Sequence, residues 1–312
     1  MSKFEQQKYD DTWFNYCIDA DPTTIKNAIS EIYITGNNKK IHLDIFGKND
    51  ESLKTNIIFI HGTAVYSRFY AEFLYNLYKN GFRIIAPDMP GHGLSEGKRG
   101  HFNMKELIST IYDITTYVIE NYGENVAIMG SSLGGITALY ATANDERIKA
   151  AICHNAAIFN EGAHKKIVKV KGFIKYLKPL LPFFSKLFPT LRLSVWIYLD
   201  PKSLIKSDEW DEKVEILLRD KFLSDKYTLK ALATQMRAPL AKPIENIKTP
   251  IMIINGSNDV LFSIEYMKEI FDRLVNSQNK KLVIIPDSAH LILHENRNES
   301  LHKIVNWLNS IF

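Results

Sequence analysis

Six short and nearly continuous runs of apolar residues constrain the fold of this 312-residue chain more than any other feature. Continuous runs, unlike alternating ones, are typical of strands whose two faces are both covered. The runs lie at residues 56–60, 83–87, 126–129, 148–153, 250–255 and 281–286. Segments with helical periodicity occur around them, at residues 69–79, 104–121, 136–143, 265–275 and 300–311. Strand and helix alternating in this way predict an α/β fold with a mostly parallel, doubly wound sheet.

Two further segments complete the predicted architecture. Residues 29–35 and 40–46 alternate in polarity around a Gly-Asn-Asn turn, which predicts a hairpin ahead of the parallel strands. From 156 to 249 we find no convincing buried strand, and six prolines interrupt a helical, aromatic interval. We interpret this interval as an inserted helical cap over the carboxyl ends of the strands, where ligands bind in such sheets. The predicted boundaries are an N-terminal extension at 1–28, a core at 29–156 and 244–312, and a cap at 157–243.

Composition and charge exclude several classes of function. The chain is 46% hydrophobic and 24% charged, which is typical of a globular protein. A net charge of +4 is too small to indicate nucleic-acid binding, and no nucleic-acid-binding motif accompanies it. Two distant cysteines, Cys17 and Cys153, form no disulfide framework. Because we also find no signal peptide and no membrane-spanning stretch, we expect a cytoplasmic protein.

A nucleophile motif follows the third apolar run. Gly130, Ser131, Ser132, Leu133 and Gly134 match the pattern G-x-S-x-G between a predicted strand and a predicted helix. Small residues on both sides of the serine let strand and helix approach closely, and the sharp turn leaves the hydroxyl exposed on strained backbone. We therefore predict that Ser132 is a catalytic nucleophile rather than part of an ordinary glycine-rich turn.

A nucleophilic serine needs a general base and an acid that orients the base. His290 directly follows the last apolar run, and Asp259 follows the one before it, so we assign them as base and acid. By itself Asp259 could equally form a turn or a helix cap. Asp287 is the fallback acid, although it lies very close to His290 in sequence. His294 is the rival base, and its spacing from His290 would also suit a metal pair, but no third ligand and no His-Glu-x-x-His pattern accompanies it.

Two backbone N–H groups are the candidates for the oxyanion hole. Leu133 follows the nucleophile at the start of a helix, where the N–H groups point toward developing negative charge. The second donor should come from the loop after the run at 56–60. Thr63 is our first choice there and Ala64 the second.

Several of these motifs together resemble those of the α/β-hydrolase superfamily, whose members share the chain order Ser, acid, His. The motifs that carry the resemblance are His61-Gly62, Gly130 to Gly135, Asp259, His290 and the loop Pro87 to Ser95. The continuation at 96–102 is similar to the monoacylglycerol lipase and lysophospholipase branch, often called serine aminopeptidase S33-like hydrolases. The resemblance covers the chain from about residue 41 onward and implies an α/β-hydrolase fold with an inserted helical cap.

The resemblance also implies the chemistry. Members with serine at this turn form an acyl-enzyme that water hydrolyses. Haloalkane dehalogenases and epoxide hydrolases of this fold both have aspartate in place of the serine. Many relatives have methionine after the nucleophile where this chain has Leu133, which leaves the backbone donor unaffected. The implied function is a serine hydrolase of carboxylic esters, with a monoacylglycerol or a lysophospholipid as the substrate. We predict no cofactor and no metal.

The cap provides the remaining information about substrate and partners. Basic and apolar residues mix at helical spacing over 165–178, and an apolar segment follows at 180–188. These residues either pack the cap onto the core or form an acyl-chain tunnel with a basic face that contacts a membrane peripherally. A short-chain carboxylesterase, a thioesterase and a peptidase remain alternatives. A non-catalytic protein that binds a hydrophobic ligand is the alternative from another class.

Overall fold

The computed structural model describes residues 8–167, 181–205 and 207–312. Its centre is an eight-stranded sheet with the strand order β1-β2-β4-β3-β5-β6-β9-β10. These strands are β1 (Ile29–Gly36), β2 (Lys39–Phe46), β3 (Thr55–Ile60), β4 (Phe82–Pro87), β5 (Val126–Ser131), β6 (Ala150–His154), β9 (Ile251–Gly256) and β10 (Lys281–Ile285). β1 and β2 form the predicted hairpin, β2 also pairs antiparallel with β4, and the other five pairs are parallel. The predicted fold class is therefore confirmed.

Helices cover both faces of this sheet, which explains why the strands read as continuous apolar runs. In β3, Ile57 and Phe59 belong to one hydrophobic cluster, whereas Ile58 and Ile60 belong to another on the opposite face. The α-helices in the described residues are α1 (Pro22–Ala28), α2 (Ala71–Lys79), α3 (Met104–Tyr122), α4 (Leu133–Asn144), α5 (Ala163–Ile167), α6 (Leu181–Leu187), α7 (Asp208–Arg219), α8 (Leu229–Gln235), α9 (Ile264–Arg273), α10 (Ile292–Glu295) and α11 (Arg297–Leu308). Short 3₁₀ helices occur at Asp11–Tyr16, Ser67–Tyr70, Phe159–Glu161, Val195–Ile197, Pro201–Leu204 and Ile244–Asn246.

The described part of the N-terminal segment packs into the core. Trp13 and Ile25 are fully buried in the hydrophobic cluster that also contains residues of α2 and α11. The carboxylate of Glu72 accepts the N–H groups of residues 18–20 at 2.6–2.8 Å and pairs with Arg297 at 2.7 Å. This segment therefore contributes to the packing of the core, a role that the sequence did not indicate.

The described residues between β6 and β9, which we call the insert, consist mainly of short helices. They also contain two strands of three residues each, β7 (Arg192–Ser194) and β8 (Lys226–Thr228), which pair antiparallel. Our expectation of no convincing buried strand in this interval did not include these two short strands, because three residues are too few for a periodic pattern to appear. Most of the basic segment 165–178 lies outside the described residues.

The insert is bonded to loops that follow β3 and β4. The N–H of Ser224 donates to the carbonyl oxygen of Ala64 at 2.8 Å, and its hydroxyl donates to Gly91 at 3.0 Å. The N–H of Thr228 donates to Gly100 at 2.9 Å. These contacts place residues 224–228 at the carboxyl ends of the parallel strands.

Candidate active site

Ser132 occupies a sharp turn between β5 and α4. Its backbone has φ 56° and ψ −117°, a conformation that residues other than glycine rarely adopt. The flanking glycines are required by close approach of the backbone. A Cβ atom on Gly130 would lie 2.1 Å from the carbonyl oxygen of Gly134, and one on Gly134 would lie 2.1 Å from that of Ile60. The turn therefore has the strained geometry that G-x-S-x-G predicted.

The structure brings the predicted base and acid to this serine. Nε2 of His290 lies 3.0 Å from Oγ of Ser132, and Nδ1 lies 2.8 Å from Oδ2 of Asp259. His290 is on the loop after β10, and Asp259 is on the loop after β9. Because the carboxylate accepts the proton on Nδ1, Nε2 is free to accept the hydroxyl proton of Ser132. Three side chains far apart in sequence thus form one line for proton transfer.

The side chain of Asp259 is fully buried, yet it stays ionised at neutral pH. Burial, the largest influence, raises the pKa of its carboxyl, but His290 and the N–H groups of Leu261 and Phe262 outweigh burial and leave the pKa below its ordinary value. Those two N–H groups donate to Oδ1 at 2.8 and 3.0 Å. The carboxylate is therefore available to hold the imidazole and to stabilise its positive charge.

Sequence reasoning missed two residues that support this pair. Asn155 follows β6 with φ 68°, and its Nδ2 donates to Oδ2 of Asp259 at 3.1 Å. Phe262 stacks on the ring of His290, with centroids 5.7 Å apart and an interplanar angle of 7°. The signal for Asn155 was present, because a polar residue directly after a parallel strand lies at the same sheet edge as Ser132 and Asp259. No comparable signal marks Phe262.

The rival residues lie elsewhere. His294 is buried against Phe69 and Tyr70, and its Nε2 donates to the carbonyl oxygen of Phe69 at 2.9 Å. Burial lowers the pKa of His294 to about 4, which keeps it neutral. Asp287 is exposed in the turn after β10 with φ 52°. The structure thus offers neither rival a contact with the serine.

The loop after β3 passes directly beside Ser132. A Cβ atom on Gly62 would lie 3.4 Å from Cβ of Ser132. The N–H of Ala64 donates to the hydroxyl of Tyr227 at 3.0 Å, so our second choice of oxyanion donor is already engaged. Within the described part of the chain, no acceptor bonds the N–H of Thr63 or of Leu133. Both first-choice donors are therefore available to a ligand.

Two groups of side chains have the composition of a metal site, with donor atoms within 4.8 Å of one another in the described residues. They are His154 with Asp259 and His290, and Glu31 with His42 and Asp44. The first group contains the base and acid described above. The second surrounds the guanidinium of Arg68, which lies 2.9 Å from Asp44 and 2.6 Å from Glu31. Since a cation already occupies this group, it does not fit a metal ion.

Comparison with known proteins identifies the class of this protein. A family model described as serine aminopeptidase, S33, matches residues 51–297. The chain belongs to this family, which confirms the resemblance to α/β-hydrolases drawn from the motifs.

Individual relatives differ in length. An uncharacterized abhydrolase domain-containing protein of Dictyostelium discoideum is 26% identical over 259 residues, covering 81% of this chain but only 26% of that protein. A pimeloyl-[acyl-carrier protein] methyl ester esterase of Nitrosospira multiformis is 26% identical over 250 residues, covering 76% of this chain and 88% of that protein. The structure of a monoacylglycerol lipase from Paleococcus ferrophilus superimposes with a TM-score of 0.72 and 25% identity, covering 87% of this chain and 99% of the other. The family and two of these relatives, the esterase and the lipase, support the assignment of the protein to the carboxylic ester hydrolases.

Proposed function

We propose that this protein hydrolyses carboxylic esters through an acyl-enzyme formed on Ser132. The observation that carries the proposal is the line from Asp259 through His290 to Ser132, with distances of 2.8 and 3.0 Å. In the first half-reaction Oγ of Ser132 attacks the ester carbonyl while Nε2 of His290 accepts the proton. His290 then protonates the leaving alcohol oxygen. In the second half-reaction water attacks the acyl carbonyl while Nε2 of His290 accepts its proton. His290 then returns this proton to Oγ of Ser132, and the carboxylic acid is released.

The oxyanion of each tetrahedral intermediate would be bound by the N–H groups of Thr63 and Leu133. Leu133 directly follows Ser132, and Thr63 follows Gly62, which lies against Ser132. Neither N–H has an acceptor in the described residues. Removing one such donor typically lowers the rate by about a hundred- to a thousandfold. A side-chain substitution at Thr63 retains the N–H, so its effect on this contribution should be small.

We propose a monoacyl lipid, such as a monoacylglycerol or a lysophospholipid, as the substrate. The similarity to a monoacylglycerol lipase supports this choice. Five large apolar side chains on and after α6 are also exposed by 37–60%, namely Phe183, Phe184, Leu187, Phe188 and Leu191. Each methylene that such a surface removes from water contributes about 0.8 kcal/mol, so apolar contacts alone can select a long acyl chain.

The same apolar surface supports two further proposals. Residues 157–243 would act as a cap, and residues 183–191 of it would contact a lipid surface peripherally. No helix within the described residues is long and apolar enough to cross a membrane. We retain the cytoplasm as the proposed location.

The second candidate function is a short-chain carboxylesterase or a thioesterase. The relative that acts on a pimeloyl-[acyl-carrier protein] methyl ester favours this alternative. Rates on p-nitrophenyl esters of increasing chain length and on monoacylglycerols distinguish the two. The lipid proposal predicts that kcat/KM rises with chain length, whereas faster turnover of the acetyl ester than of long-chain monoacylglycerols would contradict it.

Labelling by a fluorophosphonate tests the reaction itself. The wild-type protein should be labelled on Ser132, and the Ser132→Ala variant should be neither labelled nor active. The matched control is Ser131→Ala, because the hydroxyl of Ser131 contacts His154 at 2.8 Å rather than His290. This control should still be labelled. A wild-type protein that does not react would support a non-catalytic binder instead.

A further inference from the structure

We infer that Tyr227 of the insert is a positioning residue for the oxyanion hole, through a hydrogen bond that holds the loop carrying Thr63. The inference rests on the proposed function, because it assigns Tyr227 a part in the same reaction. Nothing in the sequence marks Tyr227, which lies on the three-residue strand β8, 95 positions beyond the nucleophile.

The backbone of Ala64 adopts a conformation that needs external support. Its φ is 69°, in the left-handed region that alanine rarely adopts, and the residue is fully buried. Both of its backbone polar groups are bonded to the insert. The N–H donates to the hydroxyl of Tyr227 at 3.0 Å, and the carbonyl oxygen accepts the N–H of Ser224 at 2.8 Å. The insert therefore holds the loop in this conformation.

The neighbouring groups determine which hydrogen bond the Tyr227 hydroxyl donates and which it accepts. Nδ1 of His92 lies 3.2 Å from the carbonyl oxygen of Pro90, so it carries the proton of the neutral ring, and Nε2 is an acceptor. Burial, with a smaller effect from His61, lowers the pKa of His92 and keeps it neutral. The hydroxyl of Tyr227 then donates to Nε2 of His92 at 2.9 Å and accepts the N–H of Ala64. Each group in this buried chain has a partner, so the hydroxyl has a defined direction.

The consequence for catalysis follows from the position of Thr63. This residue lies between Gly62, which is packed against Ser132, and Ala64, which Tyr227 holds. Without the Tyr227 hydroxyl, Ala64 is left with a buried N–H that has no partner, and its strained conformation is no longer supported. The N–H of Thr63 would then lose its alignment toward the oxyanion.

Tyr227→Phe tests this inference, and Tyr140→Phe is its matched control. Tyr140 is also fully buried, and its hydroxyl also accepts one backbone N–H, from Phe159 at 2.9 Å, and donates to one acceptor, Ala238 at 2.8 Å. Both substitutions thus remove equivalent hydrogen bonds, but only Tyr227 contacts the loop that carries Thr63. The assays are steady-state hydrolysis of a p-nitrophenyl ester, inhibition by a trifluoromethyl ketone, and thermal unfolding. The ketone adds to Ser132 and places an oxyanion in the hole, whereas KM reports largely on substrate binding.

For Tyr227→Phe we expect kcat to fall about 10- to 100-fold with little change in KM. The inhibition constant of the trifluoromethyl ketone should rise by the same factor, because it mimics the transition state. Tyr140→Phe should lose as much thermal stability while kcat and the inhibition constant stay near the wild-type values. Wild-type values for Tyr227→Phe, or equal losses in both variants, would overturn the inference and leave the proposed function standing. A wild-type protein inactive on every ester would overturn both.

Discussion

Replacing Asp259 by asparagine tests the proposed proton line most directly. Oδ1 of this carboxylate accepts the N–H groups of Leu261 and Phe262 at 2.8 and 3.0 Å. Oδ2 accepts Nδ1–H of His290 at 2.8 Å and Nδ2–H of Asn155 at 3.1 Å. Four donors therefore point at the two carboxylate oxygens. An asparagine at position 259 would have to place its NH₂ group against two of these donors.

The two possible orientations of that amide differ in cost. With its NH₂ group in place of Oδ1, the N–H groups of Leu261 and Phe262 would lose their acceptor, at about 1–3 kcal/mol for each unpaired group. With NH₂ in place of Oδ2, the ring of His290 can adapt by moving its proton from Nδ1 to Nε2. The second orientation costs less, and it is inactive, because a protonated Nε2 cannot accept the proton of Ser132.

We therefore expect Asp259→Asn to lower kcat about 10⁴-fold, which corresponds to about 5.5 kcal/mol of transition-state stabilisation. Steady-state kinetics on a p-nitrophenyl ester measure this loss, and circular dichroism checks that the fold is retained. Asp287→Asn is the control, because it is the same substitution at an exposed turn on the loop that carries His290. It should retain nearly full activity. A loss of less than tenfold in Asp259→Asn, or a comparable loss in the control, would refute the assignment of Asp259.

Three other substitutions give further tests. Burial lowers the pKa of His294 to about 4 in the native state. As the pH falls from 7 to 4, the unfolded chain therefore binds a proton at His294 before the native state does. This difference lowers the free energy of unfolding by about 3 kcal/mol over that interval. In urea unfolding, His294→Gln should lose this part of the pH dependence while keeping most of its activity; an unchanged pH dependence would contradict the assignment. Gly134→Ala would place Cβ 2.1 Å from the carbonyl oxygen of Ile60, so we expect no soluble, active protein, and a folded variant with normal kcat would show that the turn tolerates a side chain. Trp13→Ala, at a fully buried position, should lower the free energy of unfolding by about 3–5 kcal/mol, whereas a loss below about 1 kcal/mol would show that the N-terminal segment is not part of the core.

The location of the site was predictable because the relevant signals are local. The apolar runs at β5, β9 and β10 mark strands, and Ser132, Asp259 and His290 each follow the end of one of them. The carboxyl ends of parallel strands meet at one edge of the sheet, so position after a strand becomes proximity in space. Asn155 obeys the same rule after β6 and could have been found by applying it once more.

Other features could not be predicted because they depend on contacts between distant segments. Tyr227 reaches Ala64 across 163 positions, and nothing in the residues around either one indicates the other. The burial of Trp13 likewise arises only when α2 and α11 are in place. The choice between Thr63 and Ala64 was also open until the partner of each N–H group was known.

By itself, the sequence determined which segments form the parallel sheet, where the sharp turn at Ser132 occurs, and which side chains follow the strand ends. These properties come from hydrophobic periodicity and from backbone sterics within a few residues. Only the tertiary structure decided which rival base contacts Ser132 and which rival acid contacts that base. It also decided which loop N–H groups remain unpaired within the described residues, and that the insert holds the loop carrying Thr63. Hydrogen bonds of this kind require distances near 3 Å, which the packing of the whole chain sets and no local pattern records.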